Sequence, residues 1–231
     1  MKVLVFNASP RKERGTTDIL LEAFIEGASE TKAEIAKHHI VDLVINGCRG
    51  CFSCWWKTPG KCVHRDDMDW ILPEIADTDV LVLGTPIYGN NVTHYLQKLI
   101  ERTFTFTMPE MYKGEDGETH HPGRHRKIPK VVLVATCGFP DSTPFRLAKA
   151  LFQSALHITL PAAQLLFNEE GREQLAEFLE TIRTAGKMLA NGQDVPDQLR
   201  EKLCIEYSEE MKKQVVEAHN LYSAQSSPKN E

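Results

Sequence analysis

The chain has 231 residues, 42% of them hydrophobic, with 27 basic side chains against 32 acidic ones and a net charge of −5. That length suits one sizeable α/β domain, the acidic balance argues against a general nucleic-acid binder, and no apolar run approaches the ~20 residues of a membrane span. The N-terminus enters a strand directly, with no signal-peptide pattern, so a cytoplasmic protein is expected; its six cysteines then point to metal ligands or redox groups sooner than disulfides.

In chain order, Lys2 to Phe6 reads as a buried strand. Ile19, Leu20, Ala23, Phe24 and Gly27 recur at helical spacing and predict a helix from about Thr16 to Ser29. Ile40 to Ile45 reads as a second strand. Asp66 to Ala76 reads as a helix, with Asp66 as its N-cap. Val80 to Leu83 is a third strand, and Val92, Leu96, Leu99 and Ile100 mark a helix ending near Thr103. Val131 to Ala135 is a fourth strand, Pro144 to Leu156 a helix, Ala163 to Phe167 a short strand, and Gly171 to Ala190 a helix. Val195 to Tyr222 reads as two more helices, the second capped by Ser208. The strands are continuous apolar runs, as in a parallel sheet covered on both faces. Five of them, alternating with helices, suit a flavodoxin-like three-layer sandwich with strand order 2-1-3-4-5. Residues 1–192 should form this domain, with a cysteine loop at 46–65, a helical extension at 193–222 and a flexible tail at 223–231.

In such a sheet, ligands lie beyond the carboxyl ends of the strands, where the strand order reverses. The loop NASPRKERGTTD joins Ser9, Thr16 and Thr17 hydroxyls, Arg11 and Gly15 to a helix start, where free N–H groups attract phosphate. It is neither a Walker loop nor GxGxxG, and an ordinary polar loop with a threonine cap also fits it. GTPIYGNN, residues 84–91, sets Pro86, Ile87, Tyr88, Gly89 and Asn90 where a planar ring would meet main-chain donors; a turn holding a core tyrosine is the plainer alternative. ATCGFPD, residues 135–141, adds Cys137 and Gly138, with Phe139 as a ring wall or simply as part of a turn. Phosphate at the first loop and an aromatic ring between the other two describe FMN.

These residues resemble the NADPH-dependent FMN reductase branch of flavodoxin-like proteins, through Ser9-Pro10-Arg11, Gly15-Thr16-Thr17 and Thr85-Pro86-Ile87-Tyr88-Gly89. Glu101-Arg102 falls where that branch has an acidic–Arg pair closing the following helix. The resemblance covers roughly the first 170 residues. It implies FMN held by the three loops, NAD(P)H as a co-substrate, and a homodimer or homotetramer with the flavin near a subunit boundary. The first loop departs from it in its charge, RKERG, which leaves open which of Lys12, Glu13 and Arg14 faces the phosphate.

Cys48, Cys51, Cys54 and Cys62 are spaced C-x2-C-x2-C-x7-C. Three closely spaced thiols and one nearby match a [4Fe-4S] cluster sooner than zinc, whose all-cysteine sites split into two distant pairs. Four reduced cysteines without metal are the third alternative. The block through Asp66-Asp67-Met68 resembles iron–sulfur flavoproteins, and that resemblance implies electron passage between cluster and flavin, with a ferredoxin-type donor. Trp55 and Trp56 are expected to shield a cluster or cover a subunit contact, and Cys204 to pack within a helix. The 105–129 stretch, with His120, His121, Arg124, His125, Arg126 and Lys127, reads as a solvated lid or as a basic face for NADPH or a partner. The reading is an FMN-dependent oxidoreductase with a [4Fe-4S] cluster. The alternatives are a metal-free NAD(P)H-dependent FMN or quinone reductase and a zinc-stabilised interaction module without catalysis.

Overall fold

The computed structural model describes residues 1–125 and 127–226; Arg126 and the tail residues 227–231 lie outside them. Strand β1 (Lys2–Asn7) leads into helix α1 (Thr16–Ser29), and β2 (Glu34–His39) follows. After the cysteine loop, with its single helical turn α2 (Ser53–Trp56), come α3 (Met68–Asp77), β3 (Val80–Pro86) and α4 (His94–Arg102). A two-stranded hairpin, β4 (Tyr112–Lys113) and β5 (Thr119–His120), precedes β6 (Lys130–Thr136), α5 (Arg146–Leu151) and β7 (Leu156–Leu160). Helices α6 (Glu169–Gln174), α7 (Ala176–Ala190), α8 (Asp197–Lys202) and α9 (Glu209–Ser226) complete the described chain.

The main sheet has five parallel strands in the order β2-β1-β3-β6-β7. With the hairpin strands set aside this is the expected 2-1-3-4-5 order of a flavodoxin-like fold. Side chains alternate across each strand. Val3 and Val5 therefore join the core under α1 and α7, while Leu4 and Phe6 join the core under α3 and α4. Helices α1 and α7 meet at two glycines. A Cβ on Gly27 would fall 1.8 Å from the Arg183 carbonyl oxygen, and one on Gly186 would fall 2.2 Å from that of Phe24.

The elements depart from expectation in five places. The second strand is Glu34–His39 rather than 40–45; Ile40–Asp42 forms a 3-10 turn instead. As an edge strand, β2 buries its side chains only partly, so it carries little apolar signal. The fifth strand is Leu156–Leu160, and Ala163–Phe167 is a 3-10 turn, so the preceding helix stops at Leu151. The helix expected at 171–190 is two helices, α6 and α7, that meet at Leu175. Cys204 lies in extended backbone just after α8: Thr159 N–H donates to the Leu203 carbonyl at 2.9 Å and Ile205 N–H to that of Thr159 at 3.0 Å. This segment covers the otherwise bare edge of β7. Ser223 to Ser226, expected as tail, continue α9.

Candidate functional site

Three loops are tied together at the carboxyl ends of β1, β3 and β6 by bonds that leave their tips free. Ala8 N–H donates to the Gly84 carbonyl at 2.7 Å, and the Thr93 hydroxyl to that of Ala8 at 3.1 Å. Ile87 N–H donates to the Thr136 carbonyl at 2.8 Å. Within the first loop, the Asn7 amide donates to Asp18 and its oxygen accepts from Ser9 N–H, each at 2.8 Å, which pins the loop to the first turn of α1. Gly15 caps α1 without a side-chain hydrogen bond; Asp18 N–H donates to the Gly15 carbonyl at 3.0 Å, and the Thr16 and Thr17 N–H groups stay open. A Cβ on Gly15 would lie 2.8 Å from Ser9 Oγ and 3.3 Å from the Lys12 carbonyl, filling the cradle beside those groups.

Around this cradle runs a cavity of about 160 Å³. Its lining includes Ser9, Arg11, Gly15, Thr16, Thr17, Pro86, Ile87, Tyr88, Cys137 and Gly138, all expected from sequence. Arg11 is held 4.9 Å over the Phe167 ring. Lys12 pairs with Asp42 and Glu13 sits 2.9 Å from His39 Nε2; none of Lys12, Glu13 and Arg14 is among the residues that line the cavity, whereas Arg11 is. The Thr17 hydroxyl is spent on Thr136, 2.8 Å away and buried with it.

Gly89 and Asn90 do not line the cavity. They form the tip of a two-residue turn, with φ of 57° and 61°, closed by reciprocal bonds between Tyr88 and Asn91 of 3.0 and 3.1 Å. That turn leaves Tyr88 53% exposed in the lining, which the exposed Phe167 shares. Burial pushes the Cys137 thiol up to about 11, and its sulfur donates to the Phe139 carbonyl at 3.3 Å, so it stands as a neutral thiol. A fourth loop, after β7, adds Ala163, Gln164 and Phe167; Gln164 Nε2 donates to the Gly138 carbonyl at 3.1 Å. Sequence reasoning missed it by placing the fifth strand in this stretch; the switch-point rule applied to Leu156–Leu160 points to it.

The four cysteines of the block line a separate cavity of about 440 Å³, with Phe52, His64, Glu101 and Phe104 in its wall. Among the described residues no group of three or more His, Cys, Asp or Glu is placed to hold a single metal ion. The loop is closed at its neck. Asp66, rather than capping α3 alone, accepts from Asn46 N–H and from the Asn46 amide, each at 2.9 Å, and from Arg102 at 2.7 and 3.0 Å. Burial pushes the Asp66 carboxyl up, but these bonds outweigh it and hold it well below the usual carboxylate range. Cys54 is pushed up, first by burial and then by the neighbouring Cys62. Hydrogen bonds from Ser53 hold the Cys51 thiol below its usual value.

The 105–125 insertion braces this loop instead of standing free as a lid. Trp55 stacks on Phe104 at 4.6 Å, donates to the Thr107 hydroxyl at 3.4 Å and meets the His121 ring at 4.9 Å. Arg124 donates to the Cys54 carbonyl at 3.3 Å. Trp56 points out to solvent. The histidines of the insertion diverge: His120 turns to Asp116, His121 to the Glu110 carbonyl and Trp55, and His125 to Phe106. An apolar hollow of about 330 Å³ lies between the insertion, α3 and α4, apart from both sites. No helix among the described residues is long and apolar enough to cross a membrane.

Residues 1–170 match the NADPH-dependent FMN reductase family. An iron–sulfur flavoprotein of Archaeoglobus fulgidus is 34% identical over 117 residues, covering 51% of this chain and 52% of that protein. One from Methanocaldococcus jannaschii is 36% identical over 103 residues, 45% of this chain and 52% of that one. The chain thus spans about half the length of the curated relatives it matches. Among solved structures, an NAD(P)H:quinone oxidoreductase from Methanothermobacter marburgensis aligns with a TM-score of 0.60 at 17% identity, over 82% of this chain and 96% of that one. An FMN-dependent NADH-azoreductase from Bacillus anthracis, in complex with FMN, aligns at 0.59 and 16%, over 83% and 100%. At these identities the two structures speak for the fold.

Proposed function

The chain belongs to the NADPH-dependent FMN reductase family, and on that premise we propose that it is an FMN-dependent oxidoreductase of the iron–sulfur flavoprotein kind, passing electrons between a [4Fe-4S] cluster and FMN. The observation that carries the flavin half is the cradle at Gly15, where an uncapped helix start, Ser9, Thr16 and Arg11 share one cavity. That donor set suits a phosphate monoester: N–H and hydroxyl donors with one planar cation. Pro86, Ile87, Tyr88 and Gly138 then border the ring, and the neutral Cys137 thiol keeps negative charge away from it. Bound FMN supplies the redox chemistry, joining two-electron to one-electron partners. The exposed Tyr88 and Phe167 lining the cavity suit a homodimer or homotetramer that covers the flavin edge.

For the cluster, the donor set fits: four thiols line one cavity, with His64 and Glu101 also in its wall. Two buried guanidinium Nε–H groups without hydrogen-bond partners, on Arg102 and Arg124, flank this loop and suit the negative charge of a thiolate-bound cluster. Cys48, Cys51, Cys54 and Cys62 would hold it, supplying one-electron steps from a ferredoxin-type donor. A metal-free NAD(P)H-dependent FMN or quinone reductase is the second reading, favoured by the thiols' not being drawn around a single point. Anaerobic purification followed by FMN, iron and sulfide assays separates the two. Stoichiometric flavin with about four iron and four sulfide per chain is expected. Flavin without iron selects the second reading, and zinc without flavin overturns both.

A further inference from the structure

The cysteine loop leaves the body of the protein at Asn46 and returns at Asp66, and one side chain holds both ends. Arg102, the last residue of α4, donates from Nη1 to the Asn46 carbonyl at 2.8 Å and to Asp66 at 2.7 Å, and from Nη2 to Asp66 at 3.0 Å. Its side chain is 1% exposed and that of Asp66 0%. A second pair of residues backs this clasp, with Val44 N–H donating to Asp67 at 2.6 Å and Asp67 N–H to the Val44 carbonyl at 3.1 Å. Three of the five guanidinium N–H groups can face these acceptors, whereas the buried Nε–H has no partner at all. A buried donor left open costs free energy unless an acceptor faces it. Burial would lower the Arg102 pKa, but the Asp66 bonds and the nearby Cys62 side chain keep it above its usual value. Four residues on from Cys62, Asp66 fixes the chain on the other side, and Arg65 donates to the Cys62 carbonyl.

We propose that Arg102 is the positioning residue of the sulfur centre: it closes the neck of the 47–65 loop and holds a fixed positive charge on the Cys62 side, so that the four thiols of one cavity can be drawn together by one occupant. The proposal rests on the cluster reading for its occupant, while the clasp is a property of the loop itself. Lysine retains the charge but lacks the two-pronged fork, so it cannot bridge Asn46 and Asp66 in the same way.

The test compares the full-length wild type with Arg102→Gln and Arg102→Lys, purified anaerobically, with FMN content as the check on folding. Trypsin probes the loop, which exposes Arg49, Lys57, Lys61 and Arg65. Metal-free Arg102→Gln should be cut there about tenfold faster than the wild type, because cleavage tracks the population of the opened loop. In iron-loaded protein, the same variant should lose iron to a chelator about 10-fold or more faster. The midpoint potential of whatever cluster remains should move to more negative values, with the FMN potential unchanged. That last shift reports the charge, which a merely structural residue would not move. Arg102→Lys should recover much of the potential but little of the trypsin resistance. Wild-type cutting and iron retention in Arg102→Gln, or full recovery of both by lysine, overturns the proposal. If the wild type takes up no iron, the cluster reading fails and the trypsin comparison alone decides the clasp.

Discussion

The proposed flavin cavity and the cysteine loop solve the same problem, holding polar groups in place, by opposite means. The first sits on the ends of regular strands and is locked by main-chain bonds such as Ala8 to Gly84 and Ile87 to Thr136. Its ligand-facing groups are open because a helix begins there with no side chain over it. The second has almost no regular structure, only the single turn Ser53–Trp56, and depends on side chains: Asp66 and Arg102 at the neck, Trp55 and Arg124 along the flank. A site on a sheet edge inherits its rigidity from the fold. An irregular loop needs its own anchors, so a single substitution should reach further there. Helix α4 separates the two: Thr93 at its start binds the flavin-side loops, and Arg102 at its end binds the cysteine loop.

The largest effect should come from removing Asp66. Asp66→Ala leaves the Arg102 cation buried and unpaired, which costs on the order of 3–5 kcal/mol; the unfolding midpoint in urea should fall accordingly, while the surviving folded fraction binds FMN as before. The same pair sets an acid limit. The Asp66 pKa is depressed on folding, so its contribution is complete above the unfolded value of about 3.9 and is lost as pH falls below it. Stability measured from pH 7 downward should therefore hold and then drop below about pH 4, and Asp66→Asn should flatten that drop.

Next in size is Gly186→Ala, whose methyl would meet the Phe24 carbonyl at 2.2 Å. It forces α1 and α7 apart at a cost of roughly 1–3 kcal/mol, read as a lower melting temperature. Because α1 carries the cradle, this variant should disturb the flavin cavity and spare the cysteine loop, the reverse of Asp66→Ala.

Arg11→Ala removes what is, among the described residues, the one cation lining the proposed flavin cavity. The loss of a charge-assisted bond of about 1.5–3 kcal/mol should weaken FMN binding about 10- to 100-fold without changing iron content. The smallest effect belongs to Trp56→Ala: that side chain is exposed, and its removal should change stability by less than about 0.5 kcal/mol, whereas Trp55→Ala should loosen the loop measurably in the trypsin assay.

The same contrast governs what the sequence reveals. The flavin loops were legible because a strand end, a glycine and hydroxyls lie within a dozen residues, and the switch-point rule brings such stretches together. The thiol block was legible from its spacing alone. Strand β2 was displaced because Glu34, Lys37, His38 and His39 give an edge strand no apolar run. Strand β7 was passed over because His157 and Thr159 interrupt it, while the neighbouring Ala-Gln-Leu-Leu-Phe looks more strand-like. The Asp66–Arg102 clasp joins residues 36 apart, and no local pattern encodes a pairing at that range. It emerges only once α4 has run the depth of the sheet.

The central claim is that an anionic phosphate is gripped at the start of α1. Calorimetric titration of flavin-free protein with FMN and with riboflavin tests it most directly, since the two differ only in the phosphate. The account predicts saturable FMN uptake at one per chain, at least about 100-fold tighter than riboflavin, in line with one or two charge-assisted hydrogen bonds. Equal affinity for the two, or no uptake of either by correctly folded protein, would contradict it.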